Sequence, residues 1–139
     1  MSADDDVRAA NAAFYAAFEE RDLDAMSDVW EHSDRISVTH PGWPRLEGWA
    51  RVVASWETIF ANTPYIQFVL TDETVTVADG TAWVTVNENI LQSHGAGDGL
   101  SDVDLSGASV VATNVFVHDG DRWRMVVHHG SGVQTSVQP

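Results

Sequence analysis

The chain has 139 residues, enough for one hydrophobic core but not for two, and its 44% hydrophobic content is ordinary for a globular domain. Its charge is not ordinary: 21 acidic residues stand against seven basic ones, giving a formal net charge of -14, a balance that disfavours nucleic acid and anionic membrane surfaces as partners and suits a salt-rich cytoplasm. No cysteine is present, which excludes disulfides, thiol chemistry and thiolate zinc sites.

The opening Met1-Ser2-Ala3-Asp4-Asp5-Asp6 is acidic where a secretion signal would be basic and then apolar, and no apolar run approaches a membrane span, so a cytoplasmic protein is expected. Asp4, Asp5 and Asp6 meet the positive end of a helix dipole and are expected to cap it. Val7, Ala10, Phe14, Ala17 and Phe18 follow at helical spacing, with Asn11 and Tyr15 beside them. Asp22 reads as the cap of a second, shorter helix carrying Leu23, Met26, Val29 and Trp30 on one face.

Ile36 to His40 alternates as a strand does, and His40 shares the buried side with Ile36 and Val38. Pro41-Gly42-Trp43-Pro44 ends that strand, since neither proline can donate to a ladder. Trp49, Val52, Val53, Trp56, Ile59 and Phe60 form the apolar stripe of a third helix, stopped at Asn62-Thr63-Pro64.

Everything after is predicted β. Asp79-Gly80 and Asp119-Gly120 are signals for tight two-residue hairpin turns. Counting outward from the first pairs Val77 with Ala82, Val75 with Val84 and Glu73 with Val86, which places Ala82, Val84, Val86, Glu88 and Ile90 on the core face. Counting outward from the second sets His118 opposite Asp121. It then pairs Phe116 with Trp123, Asn114 with Met125, Ala112 with Val127 and Val110 with His129, all on the core side, with His128 on the other. Between the hairpins, His94 to Asp102 is a glycine-rich connection, and Gly97-Asp98-Gly99 with Asp102 and Asp104 reads as solvated loop rather than a calcium site. The domain core spans about residues 4 to 131, and 132 to 139 read as a tail.

Helices, a short strand and then long antiparallel strands make an α+β order. The run Val7 to Phe18, Asp22-Leu23-Asp24-Ala25-Met26, Trp30, His40-Pro41-Gly42-Trp43, Gly48-Trp49 and the closing Trp123-Arg124-Met125-Val126 with His128-His129-Gly130-Ser131 resemble the SnoaL-like branch of the nuclear transport factor 2-like superfamily. The resemblance implies three N-terminal helices packed in the concave face of a strongly curved antiparallel sheet, a cone with a pocket at its open end, and a homodimer built through the sheet. Relatives include isomerases, polyketide cyclases, dehydratases, ligand-binding domains and oligomerising domains attached to kinases. Catalytic relatives commonly present an aspartate from the sheet, and this chain has none on the inferred core faces; Glu88 is the carboxylate there.

Glu88 and His129 are therefore the expected acid-base pair, on a single side of the sheet. Tyr15, Trp30, His40, Trp43, Trp56, Phe60 and Asn114 are expected to line a pocket of aromatic walls with a few polar groups. A buried pair of polar residues could also satisfy each other structurally, and His40 could simply bond the backbone near Pro41. His128 and His129 are adjacent and point apart, so they cannot share one metal ion, and no metal or cofactor is expected. The resulting reading is a small-molecule domain, an apolar or carboxylated compound in its pocket, with cofactor-free isomerase, cyclase or dehydratase chemistry; the alternative is a non-catalytic dimeric binding domain. Thr74, Thr76, Trp83, Thr85, Asn87 and Asn89 on the reverse of the sheet would suit the dimer interface.

Overall fold

A computed structural model describes residues 2–93 and 105–134 of the chain. The glycine-rich connection and the last residues of the expected tail lie outside those described.

Helix α1 spans Ala3–Glu20. Ser2 is its cap, the Oγ accepting from the Asp5 N–H at 3.1 Å, while Asp4, Asp5 and Asp6 occupy the first turn, where their charges oppose the dipole. Arg21 ends it in the left-handed region at φ 51°, its N–H closing on the last carbonyls. Asp22 then caps α2 (Leu23–Val29) by accepting from the Ala25 N–H at 3.0 Å, as the sequence predicts. The short strand β1 (Ser37–Thr39) buries Ile36, Val38 and His40 beside and within it. A two-residue strand β2 (Leu46–Glu47), not foreseen, returns to pair antiparallel with β1 and delivers the chain to α3 (Trp49–Asn62). Gly48 precedes α3 at φ 88°, a conformation costly for any residue with a side chain.

Four long strands follow: β3 (Tyr65–Ala78), β4 (Thr81–Ser93), β5 (Leu105–His118) and β6 (Trp123–Gly132). The sheet order is β2-β1-β6-β5-β4-β3, and β1 runs parallel to β6 with Val38 opposite His128. The expected all-antiparallel sheet is thus a mixed one. A chain returning from α3 to build β3 to β6 in order brings its last strand, not its first, against β1. Strand β6 also continues through Gly130–Gly132, residues read partly as tail, because their backbones pair with Val110–Ala112 of β5.

Helix α1 touches both β3 at one edge and β6 three strands away, which only a curved sheet permits. Two bulges sharpen the curvature. In β3, Asp72 at φ 56° and Glu73 together face Val86 between the Thr71–Asn87 and Thr74–Thr85 pairs. In β6, Val126 is the extra residue between the Phe116–Met125 and Val115–Val127 pairs.

Phe14, Trp30, Trp56, Phe116, Met26 and Met125 are fully buried between helices and sheet. The indole N–H groups of Trp30 and Trp56 are buried without partners among the described residues. Each such orphan costs about 1–3 kcal/mol. Burying a ring of roughly 150–250 Å² contributes about 4–6 kcal/mol at 25 cal/mol per Å², so packing wins at both positions. Gly130 decides how closely β1 docks: a Cβ there would stand 3.2 Å from the Pro41 ring and 3.2 Å from Val110, so the missing side chain lets His40-Pro41 lie over β5 and β6.

Candidate active site

The β3–β4 hairpin keeps the register counted from its turn as far as Thr74–Thr85. The bulge at Asp72 and Glu73 then slips β3 by one and replaces the expected Glu73–Val86 pair, but it leaves the faces of β4 unchanged, and Glu88 projects from β4 into the concave side, buried with Val84 and Val86. Strand β5 adds Asn114, also fully buried. Strand β6 contributes His128, not His129. Asn114 pairs with His128 and Thr113 with His129, so His128 is buried beside Asn114 while His129 is exposed on the outer face. Two departures from the counted register explain the correction. The loop after His118 holds four residues before Trp123, a shift of two that preserves the faces as far as Met125. The Val126 bulge then shifts by one and reverses every face beyond it.

A cavity of about 280 Å³ opens at this end of the cone. Glu88, His128 and His40 line it, with walls from Phe18, Trp43, Ile59, Ile66, Phe68 and Val110, and with Gln92 and Thr63 adding polar edges. Trp43, 37% exposed, stands edge-on to His40 at 5.0 Å, and the His40 and His128 rings are 6.3 Å apart. A larger, more open groove of about 560 Å³ lies between α1, α2 and the β5–β6 loop. Its charged groups Asp6, Asp28 and Asp121 are exposed and Arg122 is half-buried, and the Arg122 guanidinium holds the Asp28 carboxyl below its usual range, the direction away from neutrality.

Behind the cavity runs a continuous polar chain that starts at the surface and ends in the core. Arg8 pairs with Glu73 at 2.7 Å; Asn11 Nδ2 donates to Glu73 Oε2 at 3.0 Å. Asn114 Nδ2 donates to Asn11 Oδ1 at 2.9 Å and to the Tyr15 hydroxyl at 3.2 Å. Tyr15 in turn donates to Glu88 Oε2 at 2.5 Å, and His128 Nδ1 bonds Asn114 Oδ1 at 2.6 Å. On the opposite wall His40 Nε2 bonds Ser55 Oγ at 3.0 Å, and that hydroxyl donates to the Val52 carbonyl at 2.7 Å.

Burial pushes the Glu88 carboxyl up to about 7, although the Tyr15 hydrogen bond favours its charged form; desolvation is the larger effect. Desolvation also raises the Tyr15 phenol far above its ordinary value, with the Glu88 charge adding to it. Both histidines are held neutral by burial, His40 at about 4 and His128 at about 3. The pocket thus contains one group that changes charge near neutrality, flanked by two imidazoles that do not.

Of the residues expected to form the site, Glu88, His40 and Trp43 line the cavity. Tyr15 and Asn114 sit one layer behind, bonded to those that do. Trp56 is core, packed edge-on against His40 at 4.6 Å, and Phe60 packs 5.8 Å from Trp56; neither reaches the cavity wall. Trp30 is core beneath α2, bridged to Met125 far from the pocket mouth. His128 and Ser55 were missed. The unalternating run Met125-Val126-Val127 is the trace a bulge leaves, and Ser55 falls on the apolar stripe three residues after Val52, so both signals were present.

A family model described as a SnoaL-like domain matches residues 7–135. A candidate dehydratase of the NTF2-like family from Streptomyces avermitilis is 41% identical, over 94% of this chain and 97% of that one, with a TM-score of 0.88. A candidate calcium/calmodulin-dependent protein kinase type II association domain from Thiobacillus denitrificans is 33% identical, over 91% of this chain and 94% of that one, with a TM-score of 0.76. The F-box protein SKIP8 of Arabidopsis thaliana is 26% identical over 121 residues, 87% of this chain and 47% of that protein, so the chain spans about half its length.

Proposed function

The chain belongs to the SnoaL-like family of the nuclear transport factor 2-like superfamily, and from that premise we propose that its cavity binds a compact, largely apolar small molecule on which Glu88 moves a proton without a cofactor. One observation carries the reading: a carboxylate at about 7 lies in an aromatic-walled cavity, with Oε2 held by Tyr15 and Oε1 free of protein partners among the described residues.

A base works best when its acidity matches the working pH, and such positioned groups supply about 10²–10⁴-fold. Ionised Glu88 takes a proton from carbon beside a carbonyl. The resulting carboxylic acid returns that proton to another carbon, completing an isomerisation; to the alkoxide left when the carbanion bonds to a second carbonyl carbon of the same molecule, completing a ring closure; or to a departing hydroxyl that leaves as water. The same carboxyl serves both halves, and the protein ends as it began. Neutral His40 and His128 cannot act as the acid, so the departing proton passes through Glu88. Tyr15 positions the carboxylate and stabilises its charge.

Deuterium uptake from D2O into 6-hydroxy-2-tetralone, which carries both an enolisable carbonyl and a hydroxyl donor, followed by NMR, tests the chemistry without knowledge of the natural substrate. Exchange should rise with pH through about 7 and vanish in Glu88→Gln, whose amide still accepts from Tyr15 and leaves the fold intact. Equal exchange in that variant would falsify the proposal.

A separate observation supports a homodimer through the sheet. Its outer face carries Trp83 at 40% exposure with Val69, Leu91 and Val111 also exposed, among Thr85, Asn87 and Asn89, a surface too apolar to be left in water. Trp83→Asp should convert a dimer to a monomer in analytical ultracentrifugation; a parent chain that sediments as a monomer removes this reading. No helix among the described residues is long and apolar enough to cross a membrane.

A further inference from the structure

The hydrogen-bond polarity of that chain of residues can be followed from one end to the other. Glu73, paired with Arg8, is a carboxylate and only accepts, so Asn11 must turn its NH₂ toward it. Asn11 Oδ1 therefore faces Asn114, which must donate through Nδ2. The second Nδ2 hydrogen goes to the Tyr15 oxygen, leaving that hydroxyl its own hydrogen for Glu88. Asn114 is left with only an acceptor, Oδ1, for His128, so His128 carries its proton on Nδ1. Its lone pair is on Nε2, the far side of the ring, at the cavity His128 lines.

The opposite wall gives the same answer independently. Ser55 has one hydroxyl hydrogen, used on the Val52 carbonyl, so it accepts from His40. His40 carries its proton on Nε2, and the lone pair is on Nδ1. Neither His128 Nε2, His40 Nδ1 nor Glu88 Oε1 has a hydrogen-bond partner among the described residues, none of them is among the side-chain atoms fully buried without one, and all three residues line the cavity.

We propose that these three atoms form an accepting pole that selects compact neutral molecules carrying hydroxyl donors, such as a dihydroxylated aromatic ring, and rejects carboxylates. The inference rests on the reading of this cavity as the ligand site, and it narrows the expected apolar or carboxylated ligand to the former, with donors added. A carboxylate would bring lone pairs against lone pairs and a like charge against Glu88, leaving buried groups unpaired. The volume of about 280 Å³ sits just below the roughly 300–1,000 Å³ of sites for drug-sized ligands, room for one or two rings. Asn11, Asn114 and Ser55 are positioning residues: they touch no ligand and act by fixing which ring nitrogen is bare.

Two measurements on the full chain test this. Long-range proton–nitrogen NMR should find His128 protonated at Nδ1 and His40 at Nε2; the reverse tautomer at either ring overturns the assignment. Titration at pH 8 with catechol and with benzoate, followed through the cavity residues Ile66 and Phe68, should give catechol at least about ten-fold tighter binding, the discrimination expected when buried acceptors are left unmatched. Ser55→Ala, which trims a single hydroxyl, should mix the His40 tautomers and narrow that ratio. Benzoate binding as tightly as catechol defeats the accepting pole while leaving the cavity a ligand site. Shifts with neither probe defeat both.

Discussion

The two long hairpins carry the same Asp-Gly dipeptide at their tips and resolve it differently. In β3–β4, Ala78 pairs with Thr81, the loop is Asp79-Gly80 alone with Asp79 at φ 57°, and the register follows from the turn as far as the bulge at Asp72 and Glu73, which lies in β3 and leaves the faces of β4 as counted. In β5–β6, Asp119 folds its carboxylate over the loop, accepting from the Asp121 and Arg122 N–H groups at 2.9 Å each, and Arg124 closes on it. Four residues are then needed before pairing resumes at His118–Trp123. The dipeptide marks where a hairpin turns; the side chains that can cap it decide how long the turn is. That lengthening was harmless to the faces, being even. The one-residue bulge at Val126 was not, and it exchanged one histidine for its neighbour.

The largest effect should come from the hairpin whose register the turn fixed. Glu88→Gln is expected to reduce proton exchange by about 10²–10⁴-fold. The same substitution should stabilise the fold at pH 8. Below pH 4.5 Glu88 is protonated in both states, and as pH rises toward about 7 the unfolded chain loses that proton while the folded chain keeps it. Stability is lost through that window, and the glutamine recovers it, on the order of 2–3 kcal/mol in urea titrations.

The next effect separates the two adjacent histidines. His128→Phe leaves Asn114 Oδ1 unpaired in the core and should cost about 1–3 kcal/mol. His129→Phe on the outer face should stay within about 0.5 kcal/mol. Equal losses would mean that the bulge does not hold in solution. The linked pH response has the opposite sign from that of Glu88. The unfolded chain takes up protons at His40 and His128 below pH 6.5, which the folded chain resists down to about 4 and 3. Their contribution is whole above pH 6.5 and drains as pH falls, and removing His128 should flatten part of that slope.

A smaller cost is expected at Gly130→Ala, about 1 kcal/mol or somewhat more, since Pro41 must shift by a few tenths of an ångström; a displaced Trp43 indole resonance would report it. Smallest are the turns themselves. Asp119→Ala removes two backbone caps and the Arg124 partner and should lower the urea midpoint more than Asp79→Ala, whose carboxylate has no such set of bonds. The reverse order would show that the longer loop is set by strand pairing rather than by Asp119.

Much of the fold could be read without coordinates, because the deciding interactions are local. Asp22 caps the helix it immediately precedes, α3 shows its stripe in its own spacing, and Ala82 to Glu88 alternate from a turn one residue away, although the cap of α1 is Ser2 and not the expected Asp4, Asp5 and Asp6, which fill its first turn. Glu88 was legible for that reason: a carboxylate at an apolar position of an alternating strand has nowhere to hide. Asn114 was placed on the correct side as well, since the faces hold along β5.

What lay beyond reach depended on contacts between segments far apart in the chain. The parallel β1–β6 pair requires knowing that Gly130 leaves room for Pro41, and the Glu73–Asn11–Asn114 chain joins residues from β3, α1 and β5. Amino-acid order by itself determined the elements, the core face of β4 and the carboxylate upon it, because capping and alternation act over a few residues. Only the folded tertiary arrangement decided that His128 joins that carboxylate and that both imidazoles turn a bare nitrogen to the cavity. A bulge is placed by curvature around α1, and a tautomer by partners that sequence distance conceals.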